Sequence, residues 1–208
     1  MSNTNRKNQL FKALLRYIKI LLVVLFIMEL AGPAFAVEEM EVPVEIQFPL
    51  FLKILPFDRN FKNRVGDEIV IGIVYQEKFR KSLNVKTQLE NFLEKSKENK
   101  IDDLPFRYIL INLGSLPEFK AILAKEKVDI IYITPLRAIA VDTLVSCSRS
   151  LGITSLTGVP AYCELGIAIS IGTKGESPII IINLPGARSE GADFSSRLLK
   201  LARVINKK

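Results

Sequence analysis

Apolar positions divide the chain into stretches of two kinds, short β-branched runs and longer segments with helical spacing. An uninterrupted apolar run covers residues 20–28, behind a basic stretch and ahead of Gly32-Pro33 and the small-residue site Ala34-Phe35-Ala36. This is the pattern of a secretory signal, with cleavage expected after Ala36. Nine apolar residues make a helix of only about 14 Å, against a bilayer core of about 30 Å. Residues 42–57 are dense in hydrophobics, and Val44, Phe48, Leu52 and Leu55 follow helical spacing. Pro49 lacks a backbone donor, so the helix is expected to start near it or bend there. Residues 58–67 read as a polar connector.

Alternation follows. Residues 68–75 (EIVIGIVY) form a β-branched run, and residues 79–97 carry Val85, Leu89, Phe92 and Leu93 on one helical face. Residues 106–113 are a second strand, leading into Ser115-Leu116-Pro117-Glu118, which has the form of a capping box. Residues 128–133 are a third strand. Leu136, Ile139, Ala140, Leu144 and Cys147 then mark a helix ended by Gly152, and residues 153–156 form a fourth strand. Runs at 166–172 and 178–184, joined by a connection of hairpin length, predict an antiparallel pair. A last helix is expected to be capped by Asp193 and to bury Phe194, Leu198, Leu201, Ala202 and Ile205. Strands alternating with amphipathic helices predict a single-domain α/β fold: a three-layer sandwich with a mostly parallel sheet and an antiparallel C-terminal hairpin.

Charge and composition narrow the chemistry. The chain carries +7 overall, but residues 1–36 hold five basic side chains and one acid. Residues 37–208 are left at about +3, too little to argue for nucleic acid or an anionic surface. No histidine is present, which removes histidine-based catalytic dyads, triads and metal ligands. Two cysteines alone cannot build a four-cysteine metal site, and neither phosphate-binding glycine motif occurs. No cofactor or metal is expected, and binding is a better expectation than catalysis.

In open α/β sheets ligands bind beyond the carboxyl ends of the strands. Here that edge offers Tyr75 and Gln76, Asn112 and Gly114, Thr134 with Arg137, and Thr157 with Gly158. The ligand-binding candidates are therefore Tyr75, Thr134, Arg137, Thr157 and Gly158. Adjacent Asp102 and Asp103 read as a solvated turn, and Asp129 and Glu164 are lone carboxylates. Cys147 and Cys163 are the only cysteine pair, and an oxidising compartment predicts a disulfide between them, although a free buried Cys147 also fits its apolar helix face.

The C-terminal third resembles a known family. Residues 156–205 contain a strand ending in Ile182-Asn183-Leu184, a small-residue segment through Ala187, Arg188 and Gly191, and a Ser-x-Leu-Leu-x-Leu-Ala pattern from Ser196 to Ala202. With Phe51 to Asn60 (FLKILPFDRN) near the start, this is similar to the YfiR/HmsC-like periplasmic domain. The resemblance implies residues 37–208 as one such domain and a periplasmic, non-enzymatic regulator. It further implies a homodimer that represses an inner-membrane signalling partner, a diguanylate cyclase or sensor kinase, and so controls cyclic di-GMP and biofilm formation. The surface expected to meet that partner combines the first helix, with Phe48, Phe51 and Phe57, and the loop around Tyr162. A periplasmic small-molecule-binding protein serving a transporter or sensor is the alternative.

Overall fold

A computed structural model describes Lys19 and residues 40–96, 99–137 and 141–205. The expected signal segment, the predicted cleavage site, Ile139 and Ala140 lie outside the described residues. The described residues from Met40 onward form one compact unit. Among the described residues no helix is long and apolar enough to cross a membrane.

The elements in chain order are helix α1 (Val44–Ile54), a 3₁₀ turn (Leu55–Phe57), the short helix α2 (Phe61–Arg64), strand β1 (Ile69–Tyr75), helix α3 (Arg80–Lys95), strands β2 (Lys100–Ile101) and β3 (Leu104–Asn112), helix α4 (Leu116–Lys125), strand β4 (Ile130–Ile133) and helix α5 (Val141–Leu151). Strand β5 (Thr154–Thr157), helix α6 (Pro160–Glu164), strands β6 (Ile169–Lys174) and β7 (Ser177–Asn183), helices α7 (Leu184–Ser189) and α8 (Ser196–Leu201) and strand β8 (Arg203–Ile205) complete the chain. The eight strands form one sheet in the order β2-β3-β1-β4-β5-β6-β7-β8. Strands β3, β1, β4, β5 and β6 are mutually parallel, and β7 is antiparallel to β6.

Two apolar layers hold the sheet. One joins α1 and α3 to Ile69, Ile71 and Ile73 of β1, with Phe48 and Phe51 packed edge-on to Tyr132 at centroid distances of 6.1 and 6.0 Å. The other packs α4, α5 and α6 against Val70, Val74, Ile131 and Ile133. This is the expected three-layer sandwich, and strands buried on both faces explain why β1 and β4 are apolar at nearly every position.

Several expectations are corrected. Helix α1 begins at Val44, five residues before Pro49, which sits inside it. Ser115 precedes α4 without making a side-chain cap bond. The predicted connector contains the short helix α2, with Phe61 buried. The expected terminal helix is only α8, capped by Ser195, whose hydroxyl accepts from Leu198 N. Asp193 instead binds Arg59 at 3.2 Å, Leu201 is 70 % exposed, and Ile205 lies in β8, parallel to β7 in register with Asn183.

The expected disulfide is absent: Cys147 and Cys163 are free thiols. Cys147 is half-buried on α5, whereas the Cys163 Sγ of α6 is turned inward, 3.9 Å from the Ala168 carbonyl and 3.7 Å from that of Ile181. Burial pushes the Cys163 thiol up to about 12. Cys147 is therefore expected to react with a maleimide in the native protein, with Cys163 labelled only after denaturation. Peptide mapping without reductant checks this, and a linked Cys147–Cys163 peptide would contradict it.

Candidate functional site

Strand order reverses between β1 and β4: the chain leaves β1 toward β3 by α3, then leaves β4 toward β5 by α5. Such a switch point opens a crevice beyond the strand ends, which is where ligands of doubly wound folds sit. The residues predicted there are brought together, but they bond to one another. Thr134 and Ser82 are fully buried. The Thr134 hydroxyl donates to the Val74 carbonyl at 2.9 Å, and its oxygen lies 2.6 Å from Ser82 Oγ, which also accepts from Gln76 N at 2.8 Å. The Gln76 side chain then spans the mouth, accepting from Arg137 N at 2.6 Å and donating to Arg137 O at 3.1 Å. Arg137 is held there by its backbone.

Tyr75 is half-buried, with the Lys86 ammonium 5.5 Å from its ring centroid. Thr157 is buried; its hydroxyl donates to the Ile133 carbonyl at 2.9 Å and accepts from Val159 N at 3.2 Å. Gly158 is where α1 meets the sheet edge. A Cβ added there would come within 2.9 Å of the Gln47 Cδ, so glycine is what admits the buried Gln47 amide. Gln47 in turn donates to Val42 O and accepts from the Tyr132 hydroxyl at 3.0 Å. Among the described residues, the polar groups at the switch point are thus bonded to one another.

The expected partner surface is corrected too. Phe48 and Phe51 are 1 and 0 % exposed and belong to the core, and Tyr162 is 2 % exposed with its hydroxyl accepting from Leu136 N at 2.8 Å. Phe57 is half-buried. Helix α1 buries Val44, Gln47, Phe48, Phe51, Leu52 and Ile54, while Ile46 is 48 % exposed.

Two features escaped sequence reasoning. One is a groove of about 530 Å³ at the antiparallel end of the sheet, lined by Glu41, Pro160, Lys174, Ile179, Leu201 and Arg203. Ile181 and Thr173 also line it, and the Glu41 carboxylate accepts from Thr173 N and Oγ1 at 2.6 and 2.7 Å. The groove carries both charge signs beside apolar walls. No local motif signals it, since its residues come from four separate parts of the chain.

The other is a buried polar knot at the amino end of β5. Asp58 accepts from Arg64 Nη2 at 2.5 Å, Asn60 N at 3.0 Å and Asp193 N at 2.8 Å. Arg64 also donates to Gly152 O at 3.0 Å, Thr154 Oγ1 at 3.0 Å and Glu190 O at 3.2 Å. The Glu190 side chain is fully buried and accepts from Ser148 Oγ at 2.7 Å, Ser155 Oγ at 2.6 Å and Ser155 N at 2.9 Å. Burial raises this carboxyl to about 7. Asp102 and Asp103 form the tight turn between β2 and β3, with φ of 47° and 72°, Asp129 accepts from Val70 N at 2.8 Å, and exposed Glu164 lies 3.7 Å from Arg203. The two serine hydroxyls on Glu190 are, like it, fully buried.

The architecture defines a class by fold alone, an α/β domain with a mostly parallel sheet covered on both faces. Solved structures similar to it include an ABC domain in complex with L-Trp from Streptococcus pneumonia (TM-score 0.54, 19% identity, 78% of this chain and 62% of that one). Others are a conserved domain protein from Vibrio cholerae (TM-score 0.53, 15% identity, 81% and 66%) and the ligand-free, open form of CD0873, a substrate binding protein with adhesive properties from Clostridium difficile (TM-score 0.56, 15% identity, 80% and 61%). The chain spans just under two thirds of the length of each. No curated protein gives a significant sequence match. Residues 50–203 match the YfiR/HmsC-like family, and the chain belongs to it.

Proposed function

We propose that this protein is a non-enzymatic periplasmic regulator that restrains a membrane signalling partner, a diguanylate cyclase or sensor kinase, by binding its periplasmic domain. The family match over residues 50–203 carries the reading. The internal bonding of the buried Ser82 and Thr134 hydroxyls supports it: a small ligand that engaged them would have to displace their hydrogen bonds, which costs about 1–3 kcal/mol for each group left unpaired. A protein partner needs no such displacement. To repress, the regulator must bind one state of the partner more tightly than the other, since equal affinity for both shifts nothing. In vivo cross-linking of the exported protein, followed by mass spectrometry, is expected to capture a membrane protein with a periplasmic segment and a cytoplasmic cyclase or kinase domain; recovery of transporter components alone would overturn it.

The second reading is a small-molecule-binding protein serving a transporter or sensor. It is favoured by the mixed-charge groove at Glu41, Lys174 and Arg203 and by the fold likeness to an L-Trp complex and a substrate binding protein. A ligand retained on native purification would support it.

A further inference from the structure

The parallel side of the sheet ends on an open edge. Strand β3 has nine residues, but β2 covers only its first turn-proximal pairs, Lys100 with Pro105 and Ile101 with Leu104. Parallel pairing to β1 uses the main-chain groups of alternate residues: Leu113 N reaches Tyr75 O at 2.7 Å, while Phe106 N turns the other way, to Asn99 O at 3.0 Å. By that alternation Tyr108, Leu110 and Asn112 direct their N–H and C=O groups outward. Among the described residues no strand pairs with them. Leu110 is 40 % exposed on this edge, and Arg107 is the sole charge in β3. Natural edges are usually blunted by lysine, proline or bulges, and residues 107–112 have none of these devices.

We propose that this edge pairs with the same edge of a second copy, antiparallel about a two-fold axis at Leu110, so that two sheets become one. The segment 108–112, Tyr-Ile-Leu-Ile-Asn, reads nearly the same in both directions. With Leu110 opposite Leu110 of the second copy, Ile109 meets Ile111, and Tyr108 meets Asn112. The outward groups of three residue pairs then engage, making about six main-chain hydrogen bonds, more than neighbouring registers allow, because shifting one way enlists the already bonded Phe106 N. Charge does not oppose this orientation. Residues 108–112 carry none, Arg107 at one end is paired with the Glu68 carboxylate at 3.1 Å, and at the other end Asn112 Nδ2 donates to the Glu77 carboxylate at 3.1 Å. No like charges within the paired segment face across the axis.

The test uses the exported protein with three single substitutions. Directly opposed, hydrogen-bonded residues have Cα atoms about 5.5 Å apart, inside the disulfide range of about 4.4–6.8 Å. Leu110→Cys is therefore expected to form a covalent dimer under mild oxidation, and Leu116→Cys, exposed on α4 away from the edge, is expected not to. Leu110→Pro removes only an outward N–H, a change edge strands tolerate, and is expected to weaken dimer association about tenfold or more by light scattering with an unchanged circular dichroism spectrum. Should Leu110→Pro fail to fold, the cross-link decides. A wild-type monomer at micromolar concentration, or no cross-link at position 110, overturns the proposal.

Discussion

Asp58→Ala is expected to lower stability by about 3–5 kcal/mol. The Asp58 side chain is 2 % exposed and the Arg64 side chain 18 %, so truncation strands a guanidinium that has little access to water. It also removes the acceptor that ties Asn60 N and Asp193 N to one oxygen. Those bonds, with Arg59 N on Asp193 O and Ser195 N on Phe57 O, stitch the segment after α1 to the segment before α8. For a domain of this size the loss corresponds to a fall in Tm of roughly 10 °C. Asp58→Asn keeps an acceptor for the two amides but not the charge, and is expected to fall between the two. Thermal melts of the three proteins check this; equal Tm values for Asp58→Ala and wild type would show that the knot contributes nothing.

Glu190 is expected to make stability fall as pH rises from about 4.5 to about 7. Burial is the main cause of its raised pKa, which moves from the ordinary 4.5 to about 7 against the opposing pull of its Ser155 and Ser148 hydrogen bonds. The hydrogen-bond geometry accommodates the neutral acid. Ser148 Oγ lies 3.0 Å from the Val145 carbonyl, so it can donate there while accepting the Glu190 proton, as Ser155 Oγ accepts from Ala168 N at 2.9 Å and donates to Glu190. The folded protein therefore holds this proton more tightly than the unfolded chain does. The resulting stabilisation is complete below about pH 4.5 and is lost across pH 4.5 to 7, a change of about 3 kcal/mol. Glu190→Gln mimics the neutral acid, so its Tm at pH 8 is expected to exceed that of the wild type, with a shallower slope between pH 5 and 8. A wild-type Tm that climbs over this range in parallel with the variant would contradict the assignment.

How much of this was legible follows from where each signal lies. The buried parallel strands announce themselves because VIGIV and IIYI are apolar on both faces, and the β6–β7 hairpin because its linker is short. Pro49 misled on the start of α1: its missing donor forgoes only one bond toward Glu45, and the burial of Val44, Gln47 and Phe48 around it holds the turn in place. The spacing of Phe194, Leu198, Leu201 and Ile205 is helical, yet the outer edge of β7 takes up Arg203–Ile205 as a strand, which no local pattern foretells. At the candidate crevice the residue set was readable from strand ends, but its internal bonding was not, since that depends on Gln76 and Ser82 meeting Arg137 and Thr134 from 61 and 52 residues away. Glu190 was invisible for the same reason: its partners Ser155 and Ser148 are 35 and 42 residues distant, and in sequence it is one acid in the polar stretch Arg-Ser-Glu-Gly-Ala-Asp.

The regulator reading meets its most direct test in the signalling output of the cell. Cyclic di-GMP, or the phosphorylation state of the candidate kinase, should be measured in a strain lacking the gene, in the same strain supplied with the full-length protein, and in one supplied with a form lacking residues 1–36 that stays in the cytoplasm. The account predicts a raised output in the deletion, return to the parent level with the full-length protein, and no return with the cytoplasmic form. An output unchanged by deletion, or full restoration by the cytoplasmic form, would contradict it.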